Sequence, residues 1–88
     1  MIKVNIAETR EAANFFRTKA GEIEQSKARL NSELQGLYSE WEGMSEKTFM
    51  QDYQQAEQIM VQTKAVLEEI AKALDTIANN FEAADTAR

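Results

Sequence analysis

The stretch Trp41-Glu42-Gly43-Met44-Ser45-Glu46-Lys47-Thr48-Phe49 decides how this chain folds, because an apolar repeat runs up to it from each side and the two do not join in phase. Upstream, Ile6, Thr9, Ala13, Phe16, Ala20, Ile23, Lys27, Leu30, Leu34, Leu37 and Trp41 are spaced alternately by three and four. Only Thr9 and Lys27 in that series are not apolar. Downstream, Phe49, Tyr53, Ala56, Met60, Thr63, Leu67, Ile70, Leu74, Ile77, Phe81 and Ala84 continue the alternation without a slip. A sustained heptad stripe of this kind is a helix signature. The break between the stripes holds Gly43, which takes a positive φ at low cost and so suits a turn. Ser45 or Thr48 suits the cap of a following helix, and Glu46 its first turn. At the front, Asn5 with Glu8 three residues on reads as a capping box.

Working outward, the repeats place helix 1 at about 6–40, the turn at about 41–44 and helix 2 at about 45–84. The 88 residues contain no proline and only three glycines, and are rich in strong helix formers. A chain of this length holds one domain, here residues 1–88. The expected fold is all-α: an antiparallel helix–turn–helix hairpin, each arm roughly 50 Å long.

A small domain buries too little surface to be secure alone and usually recruits disulfides, a metal or a second copy. Cysteine and histidine are both absent, which removes disulfides and the usual zinc and haem sites. No cofactor is expected. The apolar face is broader than one hairpin seam needs, since Ile59, Val66 and Ala73 add a flanking row. An exposed strip of that kind calls for a partner, and two hairpins face to face make a four-helix bundle. The residues expected to form the hairpin core and dimer surface are Phe16, Ile23, Leu30, Leu34 and Leu37 of helix 1. Helix 2 would contribute Phe49, Tyr53, Ile59, Met60, Val66, Leu67, Ile70, Leu74 and Ile77.

Charge excludes some functions. A net charge of -5 argues against nucleic acid, which needs a basic face, and against an anionic membrane surface. No segment approaches a membrane span of about 20 apolar residues, so no stable membrane insertion is expected. The N-terminus, Met-Ile-Lys-Val-Asn-Ile-Ala-Glu, is not a secretory signal peptide. An enzyme is not expected either, because no nucleophile–base pair and no glycine-rich phosphate loop is present.

Trp41-Glu42-Gly43 at mid-chain, with heptads on both sides, a following Phe49 and this total length, resembles the WXG100 (ESAT-6-like) family over almost the whole chain. The resemblance implies a hairpin that forms a homodimer, or a heterodimer with a WXG100 paralogue. It also implies export of the folded dimer by the ESX or type VII secretion system, without a cleavable signal peptide and after a cytoplasmic stage. In that system a membrane-bound FtsK/SpoIIIE-type ATPase recognises a C-terminal signal, Tyr-x-x-x-Asp/Glu. Phe81-Glu82-Ala83-Ala84-Asp85 matches that pattern with Phe in place of Tyr, and places a ring and a carboxylate on one helix face. The literal pattern at Tyr38–Glu42 and Tyr53–Glu57 lies at the turn and in the core. Trp41, Gly43, Phe81 and Asp85 are therefore the candidate secretion residues.

Plainer roles stand beside these. Trp41 suits the cap of a bundle end, Gly43 the turn itself, Phe81 the core register and Asp85 an ordinary exposed acid. Lys27 within the stripe suits snorkelling or register fixing. The functional expectation is a secreted effector or co-secreted partner acting by protein–protein contact. The alternative is a non-secreted helical adaptor for a larger type VII toxin. The self-sufficient stripes, each with one internal polar interruption, favour a homodimer.

Overall fold

A computed structural model of the chain describes residues 5–38, 40–41 and 45–86. Two helices, α1 (Ile6–Tyr38) and α2 (Ser45–Thr86), make up the protein, and no strand occurs among the described residues. They pack as an antiparallel hairpin 70 Å long and only 17 × 16 Å in section. Paired residues fall in number on α2 as they rise on α1: Arg10 meets Glu82, Arg17 meets Asp75, Glu24 meets Lys64 and Asn31 meets Tyr53.

The ends follow from local chemistry. At the start of α1, the side-chain carbonyl of Asn5 accepts the Glu8 amide at 3.0 Å, and the Asn5 backbone carbonyl accepts the Thr9 hydroxyl at 2.8 Å. The first satisfies one of the amides that a helix start leaves without a partner; the second adds to the Thr9 amide, which already bonds the Asn5 carbonyl at 2.9 Å. At the other end the chain tightens. The Glu40 amide bonds the Leu37 carbonyl at 2.9 Å and the Trp41 amide bonds the Tyr38 carbonyl at 3.3 Å. These three-residue steps end α1 at Tyr38, slightly before the boundary near 40 suggested by the heptads. Gly43, assigned to the turn, lies outside the described residues.

The seam between the arms does not coincide with the most hydrophobic row. On α2 the described half-buried and buried positions are Met50, Tyr53, Glu57, Met60, Lys64, Leu67, Ala71, Leu74, Asp75 and Ala78. The expected seam residues Phe49, Ala56, Thr63, Ile70 and Ile77 are exposed, one step round the helix. Leu30 and Leu37 of α1 are exposed likewise, and Asn31 and Tyr38 are half-buried instead. Small side chains explain the rotation. Among the described residues the buried ones are four alanines, Ala13, Ala20, Ala71 and Ala78. The neighbouring pairs of residues 10 with 82 and 17 with 75 place Ala13 level with Ala78 and Ala20 level with Ala71. Alanine allows the backbones to approach closely, which maximises dispersion contact along a narrow seam, and the larger side chains are turned aside.

Candidate functional site

Rotation of the seam gives the hairpin two unlike flanks. Residues one helical step to one side are charged and bridge the arms. Arg10 pairs with Glu82 at 2.7 Å, Arg17 pairs with Asp75, and Lys64 lies 3.8 Å from Glu24. On the opposite side lie Leu30 and Leu37 of α1 with Phe49, Ile59, Val66, Ile70 and Ile77 of α2, all exposed. Ile59 is 57% and Val66 52% exposed. Among the described residues no large side chain is fully buried. The chain exposes 7038 Å², roughly a third more than the ~5,200 Å² expected of a compact monomer of its mass. An exposed apolar flank of this length is the kind of surface that marks interaction sites.

At the turn end the sequence collects aromatics from both arms. Trp41, half-buried, meets Tyr38 edge to face with ring centres 5.6 Å apart, and meets Phe49 in the same way at 5.0 Å. Phe49 in turn stacks on Tyr53 at 6.3 Å. These distances and angles are those that the ring quadrupoles favour. The Tyr53 hydroxyl donates to the Asn31 side-chain carbonyl at 2.6 Å, tying α2 back to α1. Burial, with the Glu57 carboxylate and Tyr38 nearby, pushes Tyr53 above its ordinary pKa of 10.0. Trp41 thus joins the last residue of α1 to the first turns of α2.

At the other end, Phe81 is 41% exposed and Asp85 is exposed, both in the last turns of α2. Trp41 and Phe81 lie towards opposite ends of the 70 Å body and do not meet within one chain. Lys27 is half-buried in the seam, beside an open cavity of about 420 Å³ that it lines with Gln54, Glu57, Gln58, Val61 and Gln62. Among the described residues, no group of acidic side chains is placed to hold a metal ion, and no helix is long and apolar enough to cross a membrane.

Several of these contacts went unnoticed in the sequence. The Arg10–Glu82 and Arg17–Asp75 pairs and the Tyr53–Asn31 bond all join residues far apart in the chain. One signal was available: Arg10 and Arg17 are a heptad apart, as are Asp75 and Glu82. In an antiparallel hairpin those spacings bring the two pairs together at once.

The fold and its surfaces define a small helical hairpin with an aromatic-braced turn and one uncovered apolar flank. The chain belongs to the WXG100 family, "Proteins of 100 residues with WXG", whose model matches residues 1–86. It is 29% identical to the protein YukE of Bacillus subtilis (strain 168) over 85 residues, covering 97% of this chain and 88% of that protein. A variant of the secreted protein EsxB from Bacillus anthracis str. Sterne has a similar structure. It is 31% identical with a TM-score of 0.88, covering 100% of this chain and 97% of that one. EsxA of Geobacillus thermodenitrificans is 25% identical with a TM-score of 0.86, covering 99% of this chain and 95% of its own.

Proposed function

We propose that this protein is exported as a folded homodimer by an ESX/type VII secretion system and acts outside the cell by protein–protein contact, not by catalysis. The observation that carries the dimer is the apolar flank from Leu30 and Leu37 to Phe49, Ile70 and Ile77, in a chain whose described residues bury alanines alone. A second hairpin laid on that flank closes a four-helix core. Membership of a family that includes relatives of a secreted protein supports the export.

Heptad spacing suggests the register. Phe49, Ala56, Thr63, Ile70 and Ile77 are symmetric about Thr63. An antiparallel second copy centred there sets Phe49 against the partner's Ile77, Ala56 against the partner's Ile70, and Thr63 against its own counterpart. The same register brings Trp41 of one copy to the terminal end of the other, beside the partner's Phe81 and Asp85. The export signal is then composite. Trp41 marks the turn end of one protomer, Phe81 and Asp85 supply a ring and a charge from its mate, and an FtsK/SpoIIIE-type ATPase reads the two together.

The test is export into culture medium by a host with such a system. Trp41→Ala and Asp85→Ala each block export while the purified variants stay dimeric. Ile70→Glu with Ile77→Glu places charges on the flank and yields a monomer that stays in the cell. Normal export of that monomer would contradict the composite signal. Retention of the native protein in cells that export a larger toxin bearing a similar hairpin would favour the adaptor role instead.

A further inference from the structure

The C-terminal turns of α2 are held against α1 by a device that the export reading does not include. One terminal nitrogen of Arg10 donates to the Asn79 side-chain carbonyl at 3.0 Å and to the Glu82 carboxylate at 2.7 Å. Those two residues flank Phe81 in sequence, and Glu82 is the second residue of Phe81–Asp85. A heptad earlier, Arg17 pairs with Asp75 and donates to its own neighbour Asn14 at 3.0 Å. Between the two arginine pairs lie Ala13 and Ala78, level with each other and both fully buried. Along the hairpin, the Arg10–Glu82 pair, the level of Ala13 and Ala78, the Arg17–Asp75 pair and the level of Ala20 and Ala71 follow one another. The polar fastening continues one turn further towards the C-terminus than the alanine packing does.

We propose that Arg10 is a positioning residue for the Phe81–Asp85 segment: by holding Asn79 and Glu82 it keeps the last turns of α2 helical and fixes the rotation at which Phe81 and Asp85 are presented. The assignment to export rests on the proposed function; the fastening itself does not. The side chains of Arg10 and Glu82 are 38% and 56% exposed, so water screens the pair and its contribution to global stability is small. A helix end is different. It opens locally at a far lower free energy than the whole fold, yet is mostly closed, so a term of about 1 kcal/mol changes its open population several-fold. A ring and a carboxylate presented from a frayed end are read less well than from a preorganised one.

The experiment compares Arg10→Gln, Arg17→Gln and the charge exchange Arg10→Glu with Glu82→Arg in the full chain. Three quantities are measured: amide hydrogen exchange at residues 79–86, solution mass, and the exported fraction. Arg10→Gln is expected to speed exchange at 79–86 about fivefold, to lower export by a similar factor and to leave the mass unchanged. Arg17→Gln, which does not touch the segment, leaves both exchange there and export near native. The charge exchange restores both. Native exchange in Arg10→Gln would overturn the proposal. So would export lost without faster exchange, or loss not rescued by the swap, since either would mean that Arg10 is read directly. A Phe81→Ala, Asp85→Ala double variant separates the two readings. If it is exported normally, the segment is not the signal, and the exchange measurement alone decides whether Arg10 fastens it.

Discussion

Trp41 and Phe49 meet edge to face with ring centres 5.0 Å apart, one on the residue that leaves α1 and the other in the first turns of α2. Because Trp41 also touches Tyr38, a single indole couples the end of one arm to the start of the next. In the WXG100 family the tryptophan is half of the name. In this chain its first task is mechanical, and any part in export is performed by a side chain already committed to the turn.

Trp41→Ala removes both ring contacts and should destabilise the protein by about 2 kcal/mol. Trp41→Phe should recover part of the loss. Denaturant unfolding of the three proteins at one concentration checks the order, native above Trp41→Phe above Trp41→Ala, with solution mass unaffected.

Tyr53→Phe deletes the bond to Asn31 and should cost about 1 kcal/mol near neutral pH. Its pH dependence is distinctive. The folded state raises the pKa of Tyr53 above 10.0, so folding favours the protonated hydroxyl. That contribution is fully present below about pH 10, and is lost as pH rises through the raised folded value. Thermal unfolding followed between pH 8 and 11.5 should show native and variant converging at the alkaline end.

The two helices and their break were legible because heptad spacing survives any error in detail, and a glycine between two out-of-phase stripes leaves few alternatives to a turn. The rotation of the seam was not. Hydropathy ranks Ile70 and Ile77 above Ala71 and Ala78, yet the arms pack on the alanines because close backbone approach rewards small side chains. Phe81 and Asp85 could be placed on one helix face from sequence. Their fastening through Arg10 could not, because the partners are 69 and 72 residues apart and any of several acids might have served. The Asn31–Tyr53 bond was hidden for a related reason: Leu30, the greasier neighbour, occupied the expected core position.

Ala20→Leu should act as a wedge. Ala20 is 2% exposed and level with Ala71, so added methyl groups must part the helices or strain the rotamer, at a cost of about 2 kcal/mol. The same change at Ala73, which is exposed on the apolar side, should be near neutral or stabilising. Thermal unfolding of the two variants discriminates the observed seam from one that follows hydrophobicity alone.

Thr63→Cys places a thiol on the expected two-fold axis. Mild oxidation should convert most of the protein to a covalent dimer, because two facing helix positions lie within disulfide reach. Gln62→Cys, one residue round the helix and away from the apolar flank, should remain mostly reduced. Non-reducing electrophoresis reads the result.

The most direct test of the account is the solution mass of the native chain by light scattering. An apolar flank this long, with only alanines buried among the described residues, requires one sharp species near twice 10.0 kDa. A stable, well-folded species near 10.0 kDa would contradict it, because the hairpin would then carry its exposed leucines, isoleucines and phenylalanines in water with no second copy to cover them.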